Sequence, residues 1–594
     1  MKIKNYMNNN SGLKEGLHVE RIDDIPVIIT SLQKIGLGNL LDELIPVHKN
    51  WEGLSLGKLA EIWMSYIVSE GDHRLNQLED WAFEKRLLFE TLYEGEEIKR
   101  TDFTDDKLGK LLDYLSDKEN WLGIESRLNK RIFTVYKIKE EGEDMLTVRL
   151  DATIGQGYRK ADTGSLFQFG ASKHFNSSLP QFKIMLSTLE SEINGFAYPV
   201  ASITVPGNTA DDVLYTPILE QTKNSLNTTD KLLIVGDKKL GSQSNRAHIV
   251  SGGDYYLSPL SEVQVSSSDL KLLIEENEAK IKGVKVGDNY VGKGFTYTQD
   301  MSVSIDQEEE ASLQVDWLER RFVFQSTAHA KSQTTAFDKK IEKTKGRLEN
   351  LLVRKQRKKT PSTKTDISQA VEKILKDSKL EEYINVEILE STEAKKIRGY
   401  KGAKGRTVKI HTFDLSVELD MEKVKDYKSF CGWCIYATNA PQKRMKIKDA
   451  IQMYRGQFQI ESRFNDLKNK VTKLMPVFLQ KEERVLSLIN FMMIGLKLIS
   501  AIEIKVAKKL KEKKEKLQGT YAGNPKRGTE KPTAKAMLTR LKGISISVFI
   551  ENGKPKYIGL TPLDKVQQKI LKLMGIKSDL YSRLVEKMNL NFSG

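Results

Sequence analysis

Between Met145 and Asp151 the hydrophobic period of the chain changes, and that change constrains the fold more than any other feature. Met145-Leu146-Thr147-Val148-Arg149-Leu150-Asp151 alternates apolar and polar residues as a strand with one buried face does, stops at an acid, and runs on toward Gly155 and Gly157. Further strands are predicted over residues 182–189 and 197–205, joined by the Asn194-Gly195 turn. A helix is predicted around Asp211 to Lys223. The apolar run from Lys231 to Asp237 then reads as a buried strand, again ending on an acid. Strand, strand, strand, helix, strand predicts an α/β core with two carboxylates at strand ends.

The flanking regions read differently. At 594 residues the chain exceeds what one core usually holds, so several domains or one large insertion are expected. Residues 1–140 carry a helical pattern from about Gly16, with Ile28, Leu32, Ile35 and Leu37 followed by apolar runs at 40–45 and 59–64 and punctuation at Pro46 and Trp51-Glu52-Gly53. Mixed charge from Lys137 to Asp144 marks a boundary before a core spanning 145–260 and resuming at 429–505. Between them, residues 261–428 form an irregular insertion, with strands near 317–325 and 415–419 and a basic helix from Asp338 to about Lys358. The mixed-charge run at 339–347 suits a solvated helix more than a DNA contact, whereas Arg354-Lys355-Gln356-Arg357-Lys358-Lys359 has no balancing acids and suits DNA. Residues 506–594 open with a lysine-rich linker and close with helices around 565–573. No internal repeat is present.

A formal net charge of +15 points to a polyanionic partner, nucleic acid before an anionic membrane surface. Cys431 and Cys434 are the two cysteines, so there is no disulfide framework and a reducing, cytoplasmic setting is expected. Cys431-Gly432-Trp433-Cys434 lacks the second pair a closed zinc site needs and continues into a strand, which favours a structural role. The amino terminus shows no apolar signal core. The apolar stretch 485–498 is too short to span a bilayer and carries Asn490 and Lys497, so it is expected to be a buried helix.

The segment 454–468 reads as one helix. At roughly 100° per residue, Tyr454, Gln457, Glu461 and Lys468 fall within an arc of about 60°, with Phe458, Phe464 and Leu467 available as apolar contacts to a core. Taken alone, a strand-end aspartate more often caps a turn, and the helix face matches a solvated edge as well as a site. Together, Asp151, Asp237 and Glu461 are the parts needed to hold hard divalent cations through oxygen ligands. Two such ions can clamp the attacking and leaving oxygens of an in-line phosphoryl displacement. Asp162, Asp211 and Asp212 are rival carboxylates but follow turn-like sequence. No phosphate-binding P-loop, Gly-x-Ser-x-Gly elbow or His-Glu-x-x-His sequence occurs, so ATP hydrolysis, acyl transfer and zinc proteolysis lack their signatures.

Asp151-Ala152-Thr153, Gly170-Ala171-Ser172-Lys173-His174 leading to Leu179-Pro180-Gln181, Gly207-Asn208-Thr209-Ala210-Asp211, Ile234-Val235-Gly236-Asp237 and the Tyr454 segment stand in an order that resembles the DDE transposases of bacterial insertion sequences. The nearest branch is the IS-four-like one marked by Tyr-x2-Arg-x3-Glu-x6-Lys. The likeness covers about 146–260 and 431–502. It implies a ribonuclease H-like catalytic core interrupted by a long, mostly β insertion, with a helical amino-terminal domain for DNA binding or dimerisation and a helical carboxy-terminal segment. It also implies Asp151, Asp237 and Glu461 as catalytic ligands of two Mg2+ or Mn2+ ions, a homodimer pairing two element ends, and terminal inverted repeats and target DNA as partners. Tyr454 and Lys468 match the signature and would contact phosphates of the element end. Gln457 stands where the signature has Arg; it can hydrogen-bond a phosphate but supplies no charge, leaving Arg455 and Arg463 as possible compensators. Lys173 is a further DNA-contact candidate, and Trp317 a candidate for stacking on an extruded base. A ribonuclease H-like nuclease without strand transfer and a non-catalytic DNA-binding protein are the competing expectations.

Overall fold

The computed structural model describes residues 15–138, 145–162, 164–170, 178–193, 195–228, 230–307, 310–353, 361–397, 406–552 and 554–593. They form a mixed α/β fold in two units: Met1–Ser258 with Met301–Trp317 and Met453–Gly594, and Pro259–Asp300 with Leu318–Gln452.

In the first unit the amino-terminal helices start and stop where local chemistry dictates. Leu37–Leu44 (α1) and Leu56–Glu70 (α2) meet at two glycines, Gly38 and Gly57, which allow their backbones to approach closely. Ser55 accepts a hydrogen bond from the Lys58 amide at the start of α2, and Gly71, at φ 63°, ends it. Lys118–Tyr136 (α3) begins at Asp117, whose side chain accepts from the Asn120 amide. The helical pattern expected from residue 16 is preceded by a strand: Gly16–Arg21 pairs antiparallel with Ser545–Glu551, which pairs in turn with Lys554–Leu560. The carboxy-terminal segment is therefore not purely helical. It supplies two strands beside the helices Lys565–Met574 and Leu580–Ser593, a pairing between chain ends that no local pattern encodes.

The period-2 run becomes the centre of a mixed sheet. Leu146–Gln156 (β1), Gln181–Glu190 (β2) and Ala197–Pro206 (β3) form an antiparallel meander. After the helix Tyr215–Leu226 (α4), Leu232–Val235 (β4) joins the other side of β1 in parallel, and Tyr255–Pro259 (β5) follows the helix Gln243–Ser251 (α5) and lies parallel to β4. The spatial order is β3-β2-β1-β4-β5. β1 runs past the acid at which it was expected to stop, because Asp151 through Gln156 continue the ladder to β2 while the ladder to β4 ends at Arg149.

The segment around Tyr454 is not one helix. Ile447–Tyr454, a 3-10 turn at Arg455–Gln457, the helix Phe458–Asn465 (α6) and a π-helical turn at Asp466–Lys470 follow one another. Phe464 and Leu467 are buried as expected, but Phe458 is 52% exposed. The apolar stretch after it lies in a helix of 31 residues, Glu482–Glu512 (α7), long and apolar enough to cross a membrane and thus longer than expected. Its apolar surface is instead covered within the unit, against β3 and α3.

The second unit, expected to be mostly β, is mixed. Lys282–Val286 pairs with the start of Asn289–Gln307, and Trp433–Thr438 pairs antiparallel with the end of Glu310–Ser326. Ile384–Ile397 and Arg406–Leu419 form a long hairpin, which packs with the helices Thr327–Glu349, Lys364–Ser378 and Met421–Phe430 around Phe337, Ile341, Leu348 and Val424. Cys431 is buried and Cys434 half-buried, both as free thiols. Arg354, Lys355, Arg357, Lys358 and Lys359 lie outside the described residues.

Candidate active site

The last pair in the parallel ladder is Arg149 with Val235. Asp151 and Asp237 each lie two residues beyond it, so two carboxylates leave neighbouring strands at one level. Strand spacing of about 4.8 Å sets the separation of the two strands at this level, and β4 has ended by Asp237. Both aspartates are half-buried. Asp151 Oδ1 accepts from the Ala152 amide at 2.8 Å. Asp237 Oδ1 accepts from Tyr215 Oη at 2.6 Å and from the Lys239 amide at 2.8 Å, and the Asp237 carbonyl accepts from Ser258 Oγ at 3.0 Å.

Tyr215, at the start of α4, joins the candidate site through Asp237, and sequence reasoning missed it. Burial first, and then the charges of Asp237, Asp151 and Asp211, hold its phenol well above the ordinary tyrosine range. It stays a hydrogen-bond donor to Asp237. The rival Asp211 is occupied: its carboxylate is 2.5 Å from Lys183 Nζ, which also bonds the Thr209 carbonyl. The only sequence signal for Tyr215 was its place just after Asp211, ahead of an apolar helix.

Glu461 is exposed on α6, a helix that packs on β1, β2 and β3. Close approach seats the turn before it: a Cβ on Gly456 would lie 2.4 Å from Arg149 Nη2. Arg149, fully buried on β1, pairs with Glu190 at 3.1 Å, and Gln459 Nε2 donates to the same carboxylate at 3.3 Å. Lys468 Nζ donates to Thr153 Oγ1 at 2.7 Å and to the Ile154 carbonyl at 3.2 Å, so it ties the end of this segment to β1 just past Asp151; burial lowers its pKa. Gln457 and Tyr454 are half-buried and Arg455 is exposed.

The structure places two further DNA-contact candidates. Arg463 faces inward: it is 2% exposed, with Nη1 2.7 Å from Ser500 Oγ and 2.8 Å from Glu503 Oε2, and Nη2 3.4 Å from Asp466 Oδ2. It is held by core acids because α6 packs that side against α7, and it cannot replace the missing signature arginine from there. Trp317 is half-buried, its Nε1 donating to Tyr256 Oη at 2.9 Å, in a small cluster with Ala247, Ile305 and Val315. Lys173 lies outside the described residues.

The donor chemistry of Asp151 and Asp237 fits a hard divalent cation, being all carboxylate oxygen from two rigid strands. Among the described residues, however, no three acid, imidazole or thiolate side chains stand close enough to hold a metal ion, so Glu461 does not complete a preformed trio as placed.

Residues 17–121 match the family model described as a domain of unknown function, DUF4277, a domain found in transposase-like proteins. The match covers the strand Gly16–Arg21 almost entirely and the amino-terminal helices up to the start of α3. No curated protein matches the chain.

Proposed function

We propose that this protein is a DDE-type DNA transposase that cleaves phosphodiester bonds at the ends of an insertion sequence and joins the freed 3′-hydroxyls to target DNA. The observation that carries the reading is the level placement of Asp151 and Asp237 beyond the last Arg149–Val235 pair of two parallel strands. The β3-β2-β1-β4-β5 order, with an antiparallel meander and two parallel strands, supports a ribonuclease H-like core. The amino-terminal family match and the net charge of +15 support a DNA partner.

Asp151 and Asp237 would hold Mg2+ or Mn2+, with Glu461 as the third ligand carried on α6. Bound divalent ions would supply positive charge at the scissile phosphate and ease deprotonation of the attacking oxygen. The chain's own residues do the positioning. Tyr215 holds one oxygen of Asp237 and would leave the other for a cation. Lys468 anchors the Glu461 segment to β1, and Tyr454, Arg455 and Gln457 are offered to the phosphates of the bound strand. A homodimer would pair the two ends in the cytoplasm.

The absence of a three-acid group among the described residues favours one competing reading, a DNA-binding protein without catalysis. The deciding experiment uses purified protein, Mg2+ and a labelled duplex carrying the inverted repeats that flank the coding region, with both strands resolved. Asp151→Ala, Asp237→Ala and Glu461→Ala should each lower cleavage by at least about a hundred-fold, while DNA affinity stays within about three-fold because phosphate contacts elsewhere dominate it. Cleavage that survives all three substitutions refutes the assignment.

A further inference from the structure

Three lysines of the first unit converge on the carboxy-terminal end of the helix Lys565–Met574. Lys34, the last residue of the helix Ile25–Lys34, donates from Nζ to the Gly575 carbonyl at 2.6 Å. Lys505 and Lys509, one turn apart on α7, reach the same place: a Cβ on Gly575 would lie 3.3 Å from Lys505 Nζ and 3.5 Å from Lys509 Nζ. Lys509 Nζ also donates to the Lys572 carbonyl at 3.1 Å, and Lys505 Nζ donates to the Val135 carbonyl at 3.4 Å and stands 4.9 Å from the centre of the Tyr136 ring, at the end of α3. Lys34 and the neighbouring Lys137 are exposed, and Lys505 and Lys509 are half-buried, so the cluster stands at the surface. Among the described residues no carboxylate pairs with any of the three, whereas the next lysine on α7, Lys508, has Glu192 at 2.9 Å. Burial first, and then neighbouring ammonium groups, lower the pKa of Lys34, Lys505 and Lys509; Glu512 offsets this for Lys509 alone, and less than Lys513 adds to it.

A lysine at a helix carboxy terminus commonly caps a carbonyl. Capping uses one donor of each ammonium and leaves the others, and it gives no reason for three like charges to meet without an acid. From this convergence we infer that Lys34, Lys505 and Lys509 seat one phosphate group beside Gly575, with Lys137 at the rim. A phosphate offers at least three acceptor oxygens and up to two negative charges, so it can take a donor from each ammonium at once, which a carboxylate with two oxygens and one charge cannot. The phosphate comes either from the backbone of a bound nucleic acid or from a free phosphate or phosphomonoester. No residue of the candidate active site takes part, so failure of this inference leaves the proposed cleavage standing, and the reverse.

The test titrates inorganic phosphate into the full-length protein by calorimetry, in chloride buffer of constant ionic strength without divalent cation. Lys34→Gln, Lys505→Gln and Lys509→Gln should each weaken phosphate binding by about ten-fold or more and remove the phosphate-dependent rise in melting temperature. Lys34 is exposed at a helix end, so its variant reads the site without disturbing packing. A duplex oligonucleotide separates the sources. A salt slope lowered by about one in the Lys34→Gln, Lys509→Gln double variant assigns the site to a backbone phosphate, and an unchanged slope with phosphate affinity lost assigns it to the free anion; either result supports the site. Phosphate that binds the triple variant as tightly as wild type overturns it. So does a wild-type protein that phosphate stabilises no more than chloride does at equal ionic strength, which would leave helix-end capping as the whole role of these lysines.

Discussion

Tyr215 donates to Asp237 from a buried position, and the two strand aspartates together with burial keep it protonated. At the residue scale its value is orientation: the hydroxyl holds one oxygen of Asp237 and fixes the direction of the other. Tyr215→Phe keeps the ring and removes the donor. The expected outcome is an Mg2+ requirement for DNA cleavage raised by about ten-fold or more, with a melting temperature close to wild type, measured by metal titration beside thermal denaturation. An unchanged metal requirement would show that Asp237 needs no such partner. Asp151 and Asp237 were legible because each closes an apolar strand pattern. Tyr215 was not, since a tyrosine opening a helix meets a strand end only after the chain has folded back. The same limit explains Arg463: its spacing in the signature is local, but its burial depends on Ser500 and Glu503 of α7.

At the scale of elements, glycines set two close approaches. Gly57 in α2 faces the backbone of α1, where an added Cβ would lie 2.1 Å from the Gly38 carbonyl oxygen, 2.5 Å from its carbon and 2.6 Å from its Cα. Backbone cannot swing aside as a side chain can. Gly57→Ala should therefore push the helices apart and destabilise the protein by about 3 kcal/mol or more, read as a fall in urea midpoint at unchanged slope. A variant as stable as wild type would mean that α1 shifts freely. Gly456 makes the corresponding close approach beside Arg149, within the 3-10 turn that interrupts the expected single helix at 454–468. Helical spacing predicted a shared polar face, but a 3-10 turn falls where Gly456 meets the buried Arg149, and Lys468, bonded to Thr153, lies in a π turn. Long, periodic elements such as the strand at 146 and the buried helix around 490 were readable in advance. Their ends and kinks were not, because these answer to neighbours distant in sequence.

For the molecule as a whole, the most consequential choice is where the long apolar helix α7 goes. By length and composition it could cross a membrane, yet 89% of its apolar window is buried inside the fold. Lys497, fully buried on this helix, shows how the fold handles a buried charge. Its Nζ lies 3.2 Å from Glu125 Oε1 and 2.9 Å from Asn129 Oδ1 on α3, and it also donates to the Val200 carbonyl on β3; burial pushes its pKa down. Lys497→Met leaves Glu125 buried without its cation and should cost about 3–5 kcal/mol, whereas adding Glu125→Gln should restore most of that loss. Denaturant melts of the single and double variants check this, and an equal loss in both would mean that packing, not charge pairing, holds the helix. By itself the sequence determined an α/β core, two aspartates that follow apolar strand runs, a helix bearing Glu461 and a basic net charge, because strand and helix periods and the acids that follow them are recorded within a few residues. Only the tertiary structure decided that Asp151 and Asp237 come level, that Tyr215 joins them, that Arg463 turns inward, and that the two ends of the chain share one sheet. Those outcomes depend on which distant surfaces exclude water together, and no local pattern records that.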